Sequence, residues 1–224
     1  MVDTPIIVIS SPKRKNGSSV LALNLAGALW NDGYQVGLFS SNPDEIRKFL
    51  VSRIKFCSSQ NIKLAQPKLL TNINDLAGLS AVIADISADK YQENEAVFNA
   101  VHTLITPLNN ENDISWQPDD EYLNFIWKIK KNQASQGKKY LNWIIVPYLQ
   151  KSGSAEFLHL SESARRYGFR IAPAIYYRDE YMHISNGFCS ADLRNEKLAN
   201  LMSLNDVYAR REILKLADFI WKKQ

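Results

Sequence analysis

The sequence predicts an α/β protein, a doubly wound and mostly parallel sheet flanked by helices. Short, β-branched apolar runs without polar alternation recur along the 224 residues, as strands covered on both faces require. Segments with apolar residues at helical spacing separate them, and strand alternating with helix makes βαβ units. A hydrophobic content of 46% suffices for a full core, and no repeat or low-complexity linker divides the chain, so one domain over residues 1–224 is expected.

Strands are expected at Ile6–Ser10, Val36–Phe39, Ala81–Ile86, Thr103–Thr106, Trp143–Val146 and, more weakly, Arg170–Ile175. Ser19–Asn31 places Leu21, Leu25, Ala28 and Leu29 on one helical face, and Gly33 stands where a left-handed C-terminal cap belongs. Asn42-Pro43-Asp44-Glu45 reads as an N-cap, a proline at the first helical position and two first-turn acids, opening a helix towards Cys57. Glu121–Ser135 turns Tyr122, Phe125, Ile126 and Ile129 to the core beside a wet edge of Lys128, Lys130 and Lys131. Ala155–Tyr167 is closed by Gly168, and Asn205 is read as the cap of a last helix with Val207, Leu214, Ala217, Ile220 and Trp221 on its apolar face.

Lys and Arg number 27 against 23 acidic residues, a net +4 that permits contact with nucleic acid without requiring it. Cys57 and Cys189 belong to no CxxC spacing, which fits reduced thiols. His102, His159 and His183 lie apart and read as structural or surface residues. The start, MVDTPIIVISS, lacks a basic region and its apolar run is too short for a signal peptide. No stretch approaches the roughly 18 apolar residues of a spanning helix. A soluble, cytoplasmic protein is expected.

In such a sheet, ligands sit at the carboxyl ends of strands, and the first strand-to-helix turn is the usual phosphate site. Here that turn is Ser11–Val20, SPKRKNGSSV. A phosphate loop needs glycines so that backbone N–H groups converge on the anion, a lysine for the terminal phosphates and a hydroxyl for Mg²⁺. Gly17 and Ser19 have the right relation to the helix start, but Ser18 stands where the lysine belongs.

The run VISSPKRKNGSSVLALNLAGALWNDGYQVGLFSSNP resembles the opening of the ParA/MinD superfamily, whose deviant loop reads K-G-G-x-G-K-S/T. The segments FLVSRIKFCSSQNIKL, HTLITPLNNENDISW, YLNWIIVP and RRYGFRIAPAIYYRDEY are similar specifically to MipZ-like members. The resemblance implies the P-loop NTPase-like fold. It matches Lys13 to the signature lysine that reaches a dimer partner's nucleotide, Gly17 to the third loop glycine, Ser19 to the Mg²⁺ hydroxyl and Asp85 to the Walker B aspartate. Arg14 and Lys15 replace two glycines, Ser18 replaces the phosphate-binding lysine, Ser40-Ser41-Asn42 replaces Asp-x-Asp, and Tyr148 replaces the asparagine beside the adenine. A side chain at a loop glycine costs about 1–3 kcal/mol of strain or blocks the pocket. Loss of the lysine commonly costs two or more decades of affinity.

Lys13, Gly17, Ser18, Ser19 and Asp85 are therefore read as a remnant nucleotide site without ATP hydrolysis, Ser19 and Asp85 holding Mg²⁺ only if ATP binds. An alternative reading of Asp85 is a cap of the following turn, and Asp89 reads as a loop residue. The resemblance further implies spatial regulation of bacterial cell division coupled to chromosome partitioning. Its partners would be ParB-like and FtsZ-like proteins, a homodimer and nonspecific DNA, with localisation at the nucleoid. Arg165, Arg166, Arg210 and Arg211, with Arg170, are the DNA-contact candidates, an ordinary solvated face being the plainer reading. The competing function is an active ATP-dependent dimerising ATPase of the same superfamily. The last segment, Lys215–Lys223, mixes aromatic and basic residues as interfacial helices do, although packing onto the sheet is simpler. Leu70–Ala81 is short for a MipZ-like chain, which predicts a missing helix there.

Overall fold

The structure is a computed structural model and describes residues 4–108, 120–138, 140–149, 155–194, 198 and 202–221. Strands β1 (Ile6–Ser10), β2 (Val36–Ser40), β3 (Lys68–Leu69), β4 (Ala81–Ile86), β5 (Thr103–Leu108), β6 (Asn142–Leu149) and β7 (Arg170–Ile171) form one sheet in the order β3-β2-β4-β1-β5-β6-β7. Every pairing is parallel. A further short strand, β8 (Ile175–Tyr176), pairs with the end of β6 at Tyr148 and Leu149. Helices α1 (Ser18–Asn31), α2 (Pro43–Gln60), α3 (Glu95–Ala100), α4 (Glu121–Ser135), α5 (Ala155–Tyr167) and α6 (Leu204–Trp221) connect and cover it, joined by 3₁₀ segments at Asp179–Asn186 and Ser190–Arg194.

Two hydrophobic layers account for the unalternating strands. Ile7 and Ile9 of β1 pack with α1, α2 and α6, whereas Ile6 and Val8 pack with α3, α4 and α5. Because both faces of a strand are dry, both of its side-chain sets are apolar. Helix α1 is buried from Leu21 to Trp30 without a polar stripe, since α6 and the second 3₁₀ segment cover the side turned away from the sheet. In α4, Tyr122, Phe125, Ile126 and Ile129 are buried as expected, and the Asp120 carboxylate caps the helix by accepting from the Leu123 N–H at 3.0 Å.

Two local readings need correction. The run Arg170–Ile175 is two strands interrupted around Pro173, which has no N–H to donate to a ladder. The last helix begins at Leu204, and its cap is Ser203 rather than Asn205. Ser203 Oγ accepts from the Asp206 N–H at 3.2 Å, and the Asp206 carboxylate accepts from the Ser203 N–H at 2.8 Å, a reciprocal capping box. Asn42 occupies the N-cap position of α2 without a capping bond from its side chain. Strand β3 and helix α3 were not anticipated, being too short to show a period. Residues 71–80 form turns, with no helix among them.

The buried Arg53 ties α2 to the two 3₁₀ segments on one face of the sheet. Its guanidinium meets the Asp192 carboxylate in a two-pronged pair at 2.6 and 2.9 Å, and Nε donates to the Ala65 carbonyl at 2.9 Å. Nη1 also donates to the Gly187 carbonyl at 3.2 Å. Asp192 accepts in addition from the Cys189 N–H at 2.7 Å and from Asn31 at 3.0 Å. The thiol of Cys189, pushed well up by burial, donates to the Leu23 carbonyl of α1.

Candidate functional site

Parallel strands end on one side, and there the loops after β1, β4 and β6 enclose a cleft of about 640 Å³, within the range of small-molecule sites. Strand β1 delivers Ser11–Gly17, β4 delivers Asp85 and the turn Ser87–Lys90, and β6 delivers Tyr148. Tyr177, Arg178, Tyr181 and Met182, in and beside the first 3₁₀ segment, make the remaining wall. Five of the predicted positions, Lys13, Gly17, Ser18, Ser19 and Asp85, thus come together.

Asp85 sits between β1 and β2 in register with Ile9 and Ser40 and is 4% exposed. Its carboxylate accepts from Ser19 Oγ at 2.7 Å and from Ser40 Oγ at 3.5 Å. Burial pushes its pKa up to about 6; Ser19 and Ser40 oppose the rise, and the charge of Glu45 adds to it. Ser19 and Asp85 are the pair that could hold a hydrated divalent cation. The Asp85 backbone carbonyl also accepts from the Ser41 N–H at 3.0 Å, which joins β4 to the loop after β2 rather than capping the turn that follows Asp85.

The turn preceding α1 has two left-handed residues, Lys15 at φ 64° and Gly17 at φ 76°. Arg14 is not among them, so backbone strain from the replaced glycines falls on Lys15 alone, at about 1–2 kcal/mol. Asn16 is buried and donates to Ser11 Oγ at 2.6 Å, pinning the turn from within. Ser18 opens α1 with a neutral hydroxyl. Asp89 lies in the turn after β4, a loop residue as expected, and Arg14 reaches it in an exposed ion pair at 2.6 Å. Lys90 donates to the Ser41 carbonyl at 3.3 Å. Lys13 and Lys15 are exposed on the rim.

Several lining residues escaped sequence reasoning. Lys90 lies five positions after Asp85 with no motif to mark it, and Arg178 is oriented by Glu212, which it meets at 3.1 and 2.7 Å. Tyr181 donates to the same carboxylate at 2.6 Å. These contacts join a 3₁₀ segment to α6 and have no local sequence signal.

The arginines proposed for DNA are not brought together. Arg165 and Arg166 end α5, away from the cleft, Arg166 lying over the Tyr167 ring at 5.3 Å. Arg170 stacks on Phe219 at 4.4 Å near the far end of α6. Arg210 and Arg211 lie in the half of α6 that carries Glu212, the partner of Arg178 at the cleft wall. The end of α6 itself packs inward through Leu216, Ala217 and Ile220, and among the described residues no helix is long and apolar enough to cross a membrane. Residues 222–224, residues 109–116 of the HTLITPLNNENDISW segment and the side chain of His159 lie outside the described residues.

The ionisation of Asp85 opposes folding. Its folded-state pKa near 6 lies above the ordinary value, so the folded chain binds the proton more tightly and stability falls as pH rises from about 4 to about 6. Asp85→Asn, which keeps an acceptor for Ser19, is expected to add about 1–3 kcal/mol at pH 7.5. That gain raises the melting temperature by about 2–10 °C and vanishes below about pH 4, as thermal melts across pH would read.

A parallel sheet with a loop-to-helix turn facing a strand-end aspartate is the ParA/MinD-type P-loop ATPase fold. The MipZ family, described as ATPase MipZ, matches residues 79–220, and the chain belongs to it. The matched span begins downstream of the opening turn. Among solved structures, apo McdA from Cyanothece is similar at 16% identity and TM-score 0.61, over 95% of this chain and 100% of that one. The MinD cell division protein of Aquifex aeolicus is similar at 13% identity and TM-score 0.58, over 99% of this chain and 98% of its own. Cobyrinic acid a,c-diamide synthase from Mycobacterium smegmatis, with bound ATP analog and magnesium, aligns at 15% identity and TM-score 0.64, over 99% and 96%. No curated protein matches the chain.

Proposed function

We propose that this MipZ-family chain is a regulator of division-site placement, linked to chromosome segregation, that keeps the positioning scaffold over residues 1–224 as one domain and has given up the Mg·ATP switch. The observation that carries the reading is Ser18, a neutral hydroxyl at the first turn of α1, in a cleft where Arg14 is paired with Asp89 at 2.6 Å and Arg178 with Glu212. A triphosphate brings several negative charges, and each one left without a buried cationic partner weakens binding steeply. Ser19 and Asp85 suit a magnesium ion, but the phosphate side of the cleft does not suit its triphosphate. The remnant residues Lys13, Gly17, Ser18, Ser19 and Asp85 then serve architecture: Ser19 holds Asp85, and Asp85 joins β4 to the loop after β2.

On this reading the chain works as an interaction protein in the cytoplasm, at the nucleoid. Its partners are of the ParB-like and FtsZ-like kinds, with nonspecific DNA contact through two separate pairs, Arg165 and Arg166 on α5 and Arg210 and Arg211 on α6, and any homodimer forms without nucleotide. Isothermal titration with Mg·ATP is expected to give no binding up to millimolar ligand, and gel filtration to give the same mass with and without ATP. Micromolar binding, or a nucleotide-dependent shift in mass, would establish instead an ATP-cycling dimer that uses Ser19, Asp85 and the rim cations.

A further inference from the structure

We infer that Tyr148 is an intramolecular occupant of the nucleotide site, its phenol ring lying where a ligand would have to approach Gly17. The inference rests on the reading of a lost ATP switch and gives that loss a second cause, located on β6 rather than in the turn.

A Cβ built on Gly17 would lie 3.7 Å from both Cζ and the hydroxyl oxygen of Tyr148. Non-bonded heavy atoms rest about 3.5–4.0 Å apart, so the gap between ring and glycine admits one carbon-sized atom, and a bulkier phosphoryl or ribosyl group would have to displace the ring. The ring already makes ordinary contact with the space that a glycine leaves open. Close approach of ligand to backbone is the reason for a glycine before α1. In this chain a side chain uses that approach.

The ring is also held. Tyr148 pairs in register with Ile175 of β8, its side chain packs against the core layer that contains α1, and Tyr181 is an electrostatic neighbour. Tyr181 is itself fixed, donating to Glu212 at 2.6 Å. Swinging Tyr148 aside would break apolar contacts without replacing them. Burial pushes the phenol's pKa up, so the ring presents a neutral group to the cleft at any physiological pH. Neutral, it brings no charge to meet phosphate, and its one O–H cannot replace a lysine.

A loop restored by Arg14→Gly, Lys15→Gly and Ser18→Lys is therefore insufficient by itself. Mg·ATP binding is to be measured by isothermal titration on that triple variant, on the triple with Tyr148→Asn, and on the triple with Tyr148→Phe, with thermal melts confirming that each is folded. Adding Tyr148→Asn is expected to tighten Mg·ATP binding at least tenfold over the triple, whereas Tyr148→Phe leaves it within threefold because the ring remains. A smaller gain with asparagine, including no binding by either variant, makes Tyr148 a packing residue only and overturns the inference. An equal gain with phenylalanine overturns it too, because the obstruction would then not be the ring. The unaltered chain is titrated alongside. Its binding of Mg·ATP would sink the lost-switch reading, while the step from the triple to its Tyr148→Asn derivative decides the role of Tyr148 separately.

Discussion

Asp192→Ala is expected to lower the free energy of unfolding by about 3–5 kcal/mol, read as a drop in urea midpoint at unchanged slope. Arg53 is 0% exposed, and without Asp192 its charge keeps, among the described residues, the carbonyls of Ala65 and Gly187 as acceptors. The rings of Trp30 and Phe49, with centroids 5.6 and 5.7 Å from the guanidinium carbon, give it favourable faces but no countercharge. Since domains are stable by about 5–15 kcal/mol, such a loss is a large fraction of the total. The pair as a whole is less valuable than either half. Replacing both partners with apolar residues, Arg53→Met with Asp192→Leu, is expected to recover most of the loss, because no buried charge is then left unpaired. If the double variant is no more stable than Asp192→Ala, the carboxylate's bonds to Cys189 and Asn31 matter more than its charge.

Gly187→Ala is expected to cost more than about 3 kcal/mol, through contact and conformation together. A Cβ there would fall 2.4 Å from the backbone nitrogen of Arg53 and from the carbonyl carbon of Ser52, atoms inside α2 that cannot turn aside. The residue also has φ 88°, a conformation that side chains tolerate poorly. Relief requires the end of the first 3₁₀ segment to lift from α2, which would draw the Gly187 carbonyl away from Arg53. Gly187→Ala and Asp192→Ala should therefore fall short of additivity in the double variant, since both open the same joint.

The sheet was legible because its strands are dry on both faces: IIVIS, AVIADI and WIIV have no solvent-facing residue to break the run. The long helices were legible from their period and punctuation, Pro43 and Gly168 above all. What stayed hidden depends on distant contacts. Arg53 looks like a surface residue of an amphipathic helix, and nothing nearby marks a partner 139 positions away. Asn205 was preferred as a cap on residue type, yet the Ser203–Asp206 spacing won because its two side chains satisfy one another. At the cleft, the β1 turn and Asp85 could be found from strand ends. Tyr148 could be placed there only by resemblance, and the wall from Tyr177 to Met182 could not be placed, because a 3₁₀ segment reaches it through α6.

Strand β1 lies between β4 and β5, with Ile9 beside Asp85 and Ile7 beside Thr103. During synthesis it emerges before both neighbours, which leave the ribosome only after the intervening chain has been made, a wait of about 4–20 s at usual elongation speeds. Over that interval an apolar ribbon with two open hydrogen-bonding edges is exposed in the nascent chain. Such a strand is a natural client for a holding chaperone, and productive folding must begin late, once the middle of the polypeptide is available.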